Sequence, residues 1–195
     1  VTESALNQVA NAGSIAFYGA SNRPGTMGAS ILGSIISGGY EGTIYPVHPK
    51  ETEIKGLKAF HDVNDLPEVP DLAVLVLPTG VVCDTMEACG EKGIKRAVIV
   101  SGGFKEAGKE GIELEQRLMS IAKRYDIRVI GPNCLGIANP YRKLNTTPLV
   151  LEGDPGKIGL VSQSGSFVAQ MYNYLNLIGQ GFSTAFSVGN EMDID

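Results

Sequence analysis

A polar loop that contains glycine, residues 21–26, lies between two apolar patterns and is suited to hold a phosphate group. The apolar run before it, residues 15–18, predicts a buried strand, and apolar residues over 29–36 recur at helical spacing. Free backbone N–H groups and the positive end of a helix dipole favour phosphate at such a junction. Gly25 and Gly28 would let the phosphate approach the backbone closely, because they carry no Cβ atom.

The glycine spacing in this loop matches neither of two common phosphate-binding motifs. Gly19, Gly25 and Gly28 do not follow the dinucleotide pattern, in which the first two glycines are one residue apart. No Lys-Ser or Lys-Thr pair follows a glycine there, so the loop is not a P-loop. From the loop alone, a phosphate site and a tight strand-to-helix turn without a ligand both stay open.

A basic stretch follows the second predicted strand, residues 43–47, and consists of His48, Pro49 and Lys50. NAD enzymes usually have an acid at this point for the ribose hydroxyls, whereas a base suits a ribose that carries a phosphate. NADP has such a phosphate at its 2′ position and coenzyme A has one at its 3′ position. Lys50 would form a charge-assisted hydrogen bond with either of them. The alternative is a solvated surface lysine.

Two further stretches hold residue types that could bind or react. Cys134, in a loop after a predicted strand, would either face the reactive end of a ligand or be a small buried apolar residue. Residues 162–166 lack the glycines of a nucleophile elbow and predict either a second anion site or an ordinary helix N-cap. His61 is expected to be structural or solvated. The sequence offers no acid–base pair, metal cluster or catalytic triad.

The elements that must position these loops alternate between strand and helix patterns. The clearest helical patterns cover residues 81–92 and 114–125, and the predicted strands cover residues 15–18, 43–47, 72–77, 97–100 and 128–130. This alternation predicts an α/β fold with a doubly wound parallel sheet, whose ligands lie beyond the carboxyl ends of the strands. The candidate loops all follow predicted strands, and they are residues 20–26, 48–50, 78–80, 101–104 and 132–136.

The pattern weakens over residues 139–153, which are predicted to form a linker. A strand over residues 157–161, a helix over 167–178 and a strand over 182–188 then form one β-α-β unit. One such unit cannot bury both faces of its sheet. We therefore expect a second domain that is cut short, in a fragment, a proteolysed product or a subunit that needs a partner.

Composition and charge exclude several classes of protein. The 195 residues carry a net charge of −5, which argues against the clustered basic face of a nucleic-acid-binding protein. No apolar run approaches membrane-spanning length, and no basic segment precedes an apolar one at the N-terminus, so we expect neither a membrane span nor a signal peptide. The three cysteines are expected to be reduced thiols of a cytoplasmic protein.

Six stretches of the sequence recur together in one known family. They are Gly-Ala-Ser-Asn-Arg-Pro-Gly at 19–25, Gly-Tyr-Glu-Gly-Thr-Ile-Tyr-Pro-Val-His-Pro-Lys at 39–50, Asp-Leu-Ala-Val-Leu-Val-Leu-Pro at 71–78, Val-Ile-Val-Ser-Gly-Gly-Phe-Lys-Glu at 98–106, Gly-Pro-Asn-Cys-Leu-Gly at 131–136 and Gly-Lys-Ile-Gly-Leu-Val-Ser-Gln-Ser-Gly at 156–165. In this order they resemble the NDP-forming acyl-CoA synthetases, and the resemblance extends to the α subunit of succinyl-CoA ligase. It covers nearly the whole chain.

The resemblance implies a Rossmann-like CoA-binding domain over residues 1–138, a linker over 139–155 and the start of a flavodoxin-like domain over 156–195. It implies coenzyme A as the ligand. The resemblance implies that the phosphates of CoA meet Ser21, Asn22, Arg23, Pro24, Gly25 and Thr26, and that its ribose and adenine lie by Pro49 and Lys50. Leu77, Pro78 and Thr79 would border the rest of the nucleotide. Ser101 and Gly102 would line the path of the pantetheine arm, and Asn133 and Cys134 would lie near the thiol. A phosphate in transit would be cradled by Ser162, Ser164 and Gly165.

In this family an acyl phosphate forms, CoA attacks it, and a phosphohistidine carries the phosphate to a nucleoside diphosphate. Neither His48 nor His61 stands in the motif of that histidine, and its partner glutamate and the nucleotide-binding ATP-grasp part have no counterpart in the sequence. The resemblance therefore implies a chain that binds CoA but does not complete the ligase reaction alone. Its expected partners are a small carboxylic acid or its acyl-CoA, an ATP-grasp domain or subunit, and further copies in an oligomer.

Two other functions stay open at this point. Relatives of this domain are fused to lysine acetyltransferases, so the chain could be a regulatory module that senses CoA or acyl-CoA. Lys50 also allows an NADP-dependent oxidoreductase. The glycine spacing is wrong for that class, and no proton-transfer residue is evident in the sequence.

Overall fold

The computed structural model describes residues 4–150 and 154–194 and shows an α/β protein. In chain order its strands are β1 (Ser14–Tyr18), β2 (Thr43–Val47), β3 (Glu53–Ile54), β4 (Leu57–Lys58), β5 (Leu72–Leu75), β6 (Arg96–Ile99), β7 (Arg128–Ile130), β8 (Gly136–Asn139), β9 (Leu144–Asn145), β10 (Ile158–Ser162) and β11 (Phe182–Ser187). Its helices are α1 (Ala5–Ala10), α2 (Met27–Ser37), α3 (Thr79–Lys92), α4 (Lys109–Tyr125) and α5 (Gly165–Leu177). Short 3₁₀ turns cover Val63–Asp65, Lys105–Ala107 and Pro140–Arg142.

The first sheet has five parallel strands in the order β2-β1-β5-β6-β7. Every residue of β1 and β5 is buried, as their continuous apolar runs predict for strands covered on both faces. On one face, Ile31 of α2 belongs to the same apolar cluster as Phe17. On the other, Met86 of α3 and Leu118 of α4 cluster with Leu75. The predicted doubly wound parallel sheet is therefore confirmed.

Several predicted helix boundaries shift by about one turn or less. Helix α3 begins at Thr79, directly after Pro78, and α5 begins at Gly165, after the N-cap residue Ser164. Helix α1 is missing from the sequence prediction because only two of its six residues are buried, so no apolar period is visible. Among the described residues, no helix combines the length and the apolar character needed to cross a membrane.

The second sheet has four strands in the order β10-β11-β8-β9. Strands β10 and β11 are parallel and connected by α5, as predicted, whereas β8 and β9 run antiparallel to their neighbours. Asn139, Leu144 and Asn145, expected in the linker, thus belong to a sheet, and all three are buried there. Residues 151–153 of the expected linker lie outside the described residues. The domain boundaries themselves stay a prediction.

The chain after β11 returns to the first sheet, and we call residues 188–194 the return segment. Asp193 Oδ2 accepts hydrogen bonds from the amide of Val129 at 2.8 Å and from Arg128 Nε at 2.8 Å. Both donors belong to β7, the edge strand of the first sheet. The return segment therefore attaches the second sheet to β7.

Candidate functional site

A cavity of about 870 Å³ opens beyond the carboxyl ends of β1, β2 and β5, where a doubly wound sheet is expected to bind its ligand. Apolar groups form the larger part of its lining, among them Val47, Val63, Leu77, Pro78 and Val81. Its polar lining includes Ser21, Thr26, His48, His61 and Asp62. A mainly apolar cavity with a few convergent polar groups is typical of small-molecule and cofactor sites.

Residues 21–26 connect β1 to α2 and lie at the N-terminus of that helix. Thr26 is the N-cap residue: its Oγ1 accepts from the amide of Ala29 at 3.3 Å and donates to the carbonyl of Arg23 at 3.1 Å. Ser21 Oγ accepts from the amide of Arg23 at 3.0 Å. Gly25, at φ +80°, has no neighbouring heavy atom within 4 Å of where a Cβ would stand. The loop is thus held by its own hydrogen bonds and stays open at Gly25.

Close packing of the backbone is enough to require glycine at the other two positions of this motif. A Cβ built at Gly28 would lie 1.8 Å from the carbonyl oxygen of Gly19. A Cβ built at Gly19 would lie 1.9 Å from the carbonyl oxygen of Val76. These glycines let α2, β1 and the chain after β5 approach each other, and this packing, not a phosphate as predicted from the loop pattern, accounts for Gly28.

Asn22 uses its side chain to hold the loop to the β3–β4 hairpin. Its Nδ2 donates to the carbonyl of Glu53 at 3.1 Å, and its Oδ1 accepts from the amide of Lys55 at 2.9 Å. Both ends of the amide group therefore bond to the hairpin backbone. The hairpin becomes part of the frame that positions residues 21–26.

Two histidines meet at the cavity, and sequence reasoning missed one of them. His48 Nδ1 accepts from the amides of Lys50 at 3.2 Å and Glu51 at 2.9 Å, which leaves Nε2 to carry the proton of the neutral ring. His61 Nδ1 lies 3.3 Å from the carbonyl oxygen of His48. A parallel β-bridge between Val47 and Phe60, the residue before His61, brings the two histidines together. His61, expected to be structural or solvated, thus lines the cavity, and only this long-range pairing reveals it.

The loops after β5, β6 and β7 are linked to one another by hydrogen bonds. The amide of Leu77 donates to Ser101 Oγ at 2.9 Å, and Thr79 Oγ1 donates to the carbonyl of Gly102. The amide of Asn133 donates to the carbonyl of Ser101 at 2.9 Å. Together they form a continuous edge that leads from the cavity to Asn133.

Cys134 lies behind this edge, in the core. Its side chain is 6% exposed, and its Sγ lies 3.2 Å from the carbonyl oxygen of Ile99. Burial raises the pKa of the Cys134 thiol to about 12. The thiol is therefore protonated at neutral pH and acts as a small buried residue, which was one of the two roles expected for it.

Residues 162–166 surround the N-terminus of α5. Ser164 Oγ accepts from the amide of Phe167 at 3.2 Å, which makes it the N-cap residue, and it lies 3.2 Å from Ser166 Oγ. Ser162 Oγ accepts from the amide of Ser164 at 3.1 Å. Ser164 and Ser166 are exposed. The N-cap is thus present, and a phosphate at Ser162, Ser164 and Gly165 stays a prediction.

The structure separates the predicted CoA contacts into two groups. The first group lines the cavity and consists of Ser21, Thr26, Pro49, Leu77 and Pro78. The second group lies outside that lining, in the same loops or along the edge, and consists of Asn22, Arg23, Pro24, Gly25, Lys50, Thr79, Ser101, Gly102, Asn133 and Cys134. Among the described residues, no group of three His, Cys, Asp or Glu side chains is placed to hold a metal ion.

Two family models match the chain. The model of the CoA-binding domain family matches residues 13–140. The chain belongs to this family. A second model, that of the succinyl-CoA ligase-like flavodoxin domain, matches residues 155–195. The expected order of a Rossmann-like domain and a flavodoxin-like piece is therefore confirmed.

The relatives include several ADP-forming CoA ligases. The chain is 42% identical over 180 residues to 4-hydroxybutyrate–CoA ligase (ADP-forming) of Nitrosopumilus maritimus, covering 91% of this chain and 26% of that protein. It is 41% identical over 194 residues to subunit alpha of acetate–CoA ligase (ADP-forming) I of Pyrococcus furiosus, covering 97% of this chain and 42% of the subunit. The chain thus spans about a quarter to two fifths of the length of these relatives.

Solved structures show the same relationship to CoA ligases as these sequences. The chain superposes on PH0766 from Pyrococcus horikoshii with a TM-score of 0.92 and 40% identity, covering 97% of this chain and 43% of that one. It matches the dinucleotide-forming acetyl-coenzyme A synthetase 1 of Ca. Korarchaeum cryptofilum with a TM-score of 0.89 and 37% identity, covering 97% and 40%. The resemblance to NDP-forming acyl-CoA synthetases is confirmed. These relatives support neither the regulatory nor the oxidoreductase alternative.

Proposed function

We propose that this chain binds coenzyme A in the described cavity, as the CoA-binding part of an ADP-forming acid–CoA ligase. The observation that carries the proposal is the cavity itself, which lies at the carboxyl ends of β1, β2 and β5 and is bordered by the loop at the N-terminus of α2. A helix N-terminus beside a mainly apolar cavity suits a ligand with phosphates and an adenine ring.

In this proposal, each part of CoA contacts its own set of residues. The phosphates lie at residues 21–26, the ribose and its 3′-phosphate at Pro49 and Lys50, and the adenine against the apolar lining. Residues 77–79 border the nucleotide, and the pantetheine arm runs along residues 101–102 toward Asn133. CoA is a substrate in this proposal, and its thiol is the group that accepts the acyl chain.

The whole enzyme joins a small carboxylic acid to CoA, while ATP is converted to ADP and phosphate. Two relatives are named ADP-forming ligases, and one of them is a subunit alpha, which supports an ATP-grasp partner domain or subunit and an oligomeric enzyme. Ser162, Ser164 and Gly165 hold the phosphate in transit at the N-terminus of α5. The three free, buried cysteines support a cytoplasmic location.

Calorimetric titration of the chain with CoA, dephospho-CoA and NADP in parallel tests this function. We expect CoA to bind, dephospho-CoA to bind more weakly, and NADP to give no signal. Lys50→Met should remove the preference for CoA over dephospho-CoA, because it removes a cation near the 3′-phosphate. Lys109→Met, at an exposed lysine that begins α4, is the control. A folded chain that binds NADP but not CoA would return the domain to the oxidoreductases.

A further inference from the structure

Asn190 connects the return segment to the edge of the candidate site. Its side chain is buried, and its backbone N–H donates to the carbonyl of Pro132 at 2.9 Å. Gly189, at φ +55°, makes this approach possible, since a Cβ there would lie 2.3 Å from the same carbonyl oxygen. A residue that follows β11 of the second sheet thus packs against the loop that carries Asn133.

Two carboxylates determine which way the Asn190 amide group faces. Its Nδ2 donates to Glu106 Oε2 at 2.6 Å and to Glu115 Oε2 at 2.8 Å, so both of its hydrogens are used. Burial acts to raise the pKa of Glu106, but hydrogen bonds from Asn190 and from the amide of Gly103 outweigh it, and the pKa is lowered. An ionised carboxylate only accepts hydrogen bonds, so a reversed Asn190 amide would place its oxygen against two acceptors.

The orientation of Asn190 in turn determines that of Asn133. Asn190 Oδ1 can only accept, and Asn133 Nδ2 donates to it at 3.3 Å. Asn133 Oδ1 therefore faces away from Asn190. It lies beside Gly102, at 3.1 Å from the position of a Cβ built there. Asn133 is exposed, so a ligand can reach its side chain.

We propose that Glu106, Glu115 and Asn190 are positioning residues that make Asn133 present its carbonyl oxygen, and not its NH₂ group, to the pantetheine arm of CoA. This inference rests on the proposed function. The pantetheine arm carries two amide N–H groups, a hydroxyl and a thiol, and each of them is a hydrogen-bond donor that needs an acceptor when it leaves water. None of the three positioning residues touches CoA, and their effect passes through Asn133.

The test compares CoA with adenosine 3′,5′-bisphosphate, which is the nucleotide half of CoA without the arm. Asn190→Leu removes the connection between the carboxylates and Asn133. The pair Glu106→Gln and Glu115→Gln keeps the shape and lets the Asn190 and Asn133 amides reverse. In both variants we expect CoA to bind about 5-fold more weakly, the net effect of one hydrogen bond, with unchanged affinity for the bisphosphate. Glu113→Gln, at an exposed site on α4, is the matched control.

Two further measurements identify the donor group on CoA and distinguish a failure of this proposal from a failure of the proposed function. Desulfo-CoA should lose affinity in the variants as CoA does if the donor is an amide or the hydroxyl of pantetheine, and should be insensitive if the donor is the thiol. Asn190→Leu should have no additional effect in an Asn133→Leu background. Equal losses for CoA and the bisphosphate would mean a purely structural network and would overturn the proposal, as would unchanged CoA affinity in the Gln pair. If the native chain binds no CoA, the proposed function itself fails.

Discussion

At the residue scale, Gly28 of α2 packs against the backbone of Gly19, directly after β1, and we predict that it tolerates no side chain. A Cβ there would lie 1.8 Å from a backbone oxygen of Gly19, which cannot turn aside as a side chain can. We expect Gly28→Ala to lower the free energy of unfolding by about 1–3 kcal/mol. Gly33, in the same helix, has only Lys55 Nζ at 3.8 Å, so Gly33→Ala should raise the free energy of unfolding by about 0.5–1 kcal/mol.

Urea unfolding of the two alanine variants and the native chain measures this difference. The pair is matched, because both substitutions add the same methyl group to the same helix at glycines that do not have positive φ. Equal stability of the two variants would contradict the packing role given to Gly28. It would also restore the phosphate as the reason for a glycine at this position.

At the element scale, the β3–β4 hairpin supports a loop that it does not belong to. Asn22 is the link between them, through hydrogen bonds to the backbone of Glu53 and Lys55. We expect Asn22→Ala to weaken CoA binding about 3- to 10-fold, because the two hydrogen bonds that hold the loop in its binding shape are lost. Asn64→Ala, at an exposed asparagine in the turn Val63–Asp65, should leave CoA affinity unchanged.

A second variant distinguishes a hairpin effect from direct contact between Asn22 and CoA. Gly56 is in the turn of the hairpin at φ +79°, which a residue with a Cβ adopts at a cost of about 1 kcal/mol or more. Gly56→Ala should therefore strain the hairpin and weaken CoA binding in the same direction. If Gly56→Ala leaves titrations with CoA unchanged while Asn22→Ala weakens them, Asn22 contacts the ligand itself.

At the scale of the whole molecule, local sequence patterns predict the first sheet well and the connections between distant segments poorly. The strands of that sheet are visible because each is a separate apolar run followed by a polar loop. His61 lies beside His48 because of one parallel bridge, and β8 joins β11 across about 50 residues of chain. Asn190 meets Glu106 and Glu115 over separations of 84 and 75 residues. No periodicity within one segment encodes such contacts, so the cavity could be predicted and its supporting network could not.

The attachment of the return segment gives the last prediction, because it depends on one carboxylate with two different donors. Asp193 bonds the Arg128 side chain, which is about half exposed, and the amide of Val129, which is fully buried. An exposed ion pair contributes little, whereas a buried amide without an acceptor is costly. We expect Asp193→Ala to lower the free energy of unfolding by about 1–3 kcal/mol and Asp193→Asn, which keeps an oxygen acceptor, by less than about 1 kcal/mol.

The control is an ion pair of nearly the same length that lacks the backbone donor. Lys143 Nζ lies 2.9 Å from Glu41 Oε1, and both side chains are mostly exposed, so Glu41→Ala should change the free energy of unfolding by less than about 0.5 kcal/mol. Urea unfolding gives the three values, and hydrogen exchange at the Val129 amide shows whether its bond is lost. Equal effects of Asp193→Ala and Asp193→Asn would mean that the charge, and not the bond to β7, holds the return segment. In that case the attachment should weaken with added salt, and the position of Asn190 at the edge of the site would depend on ionic strength.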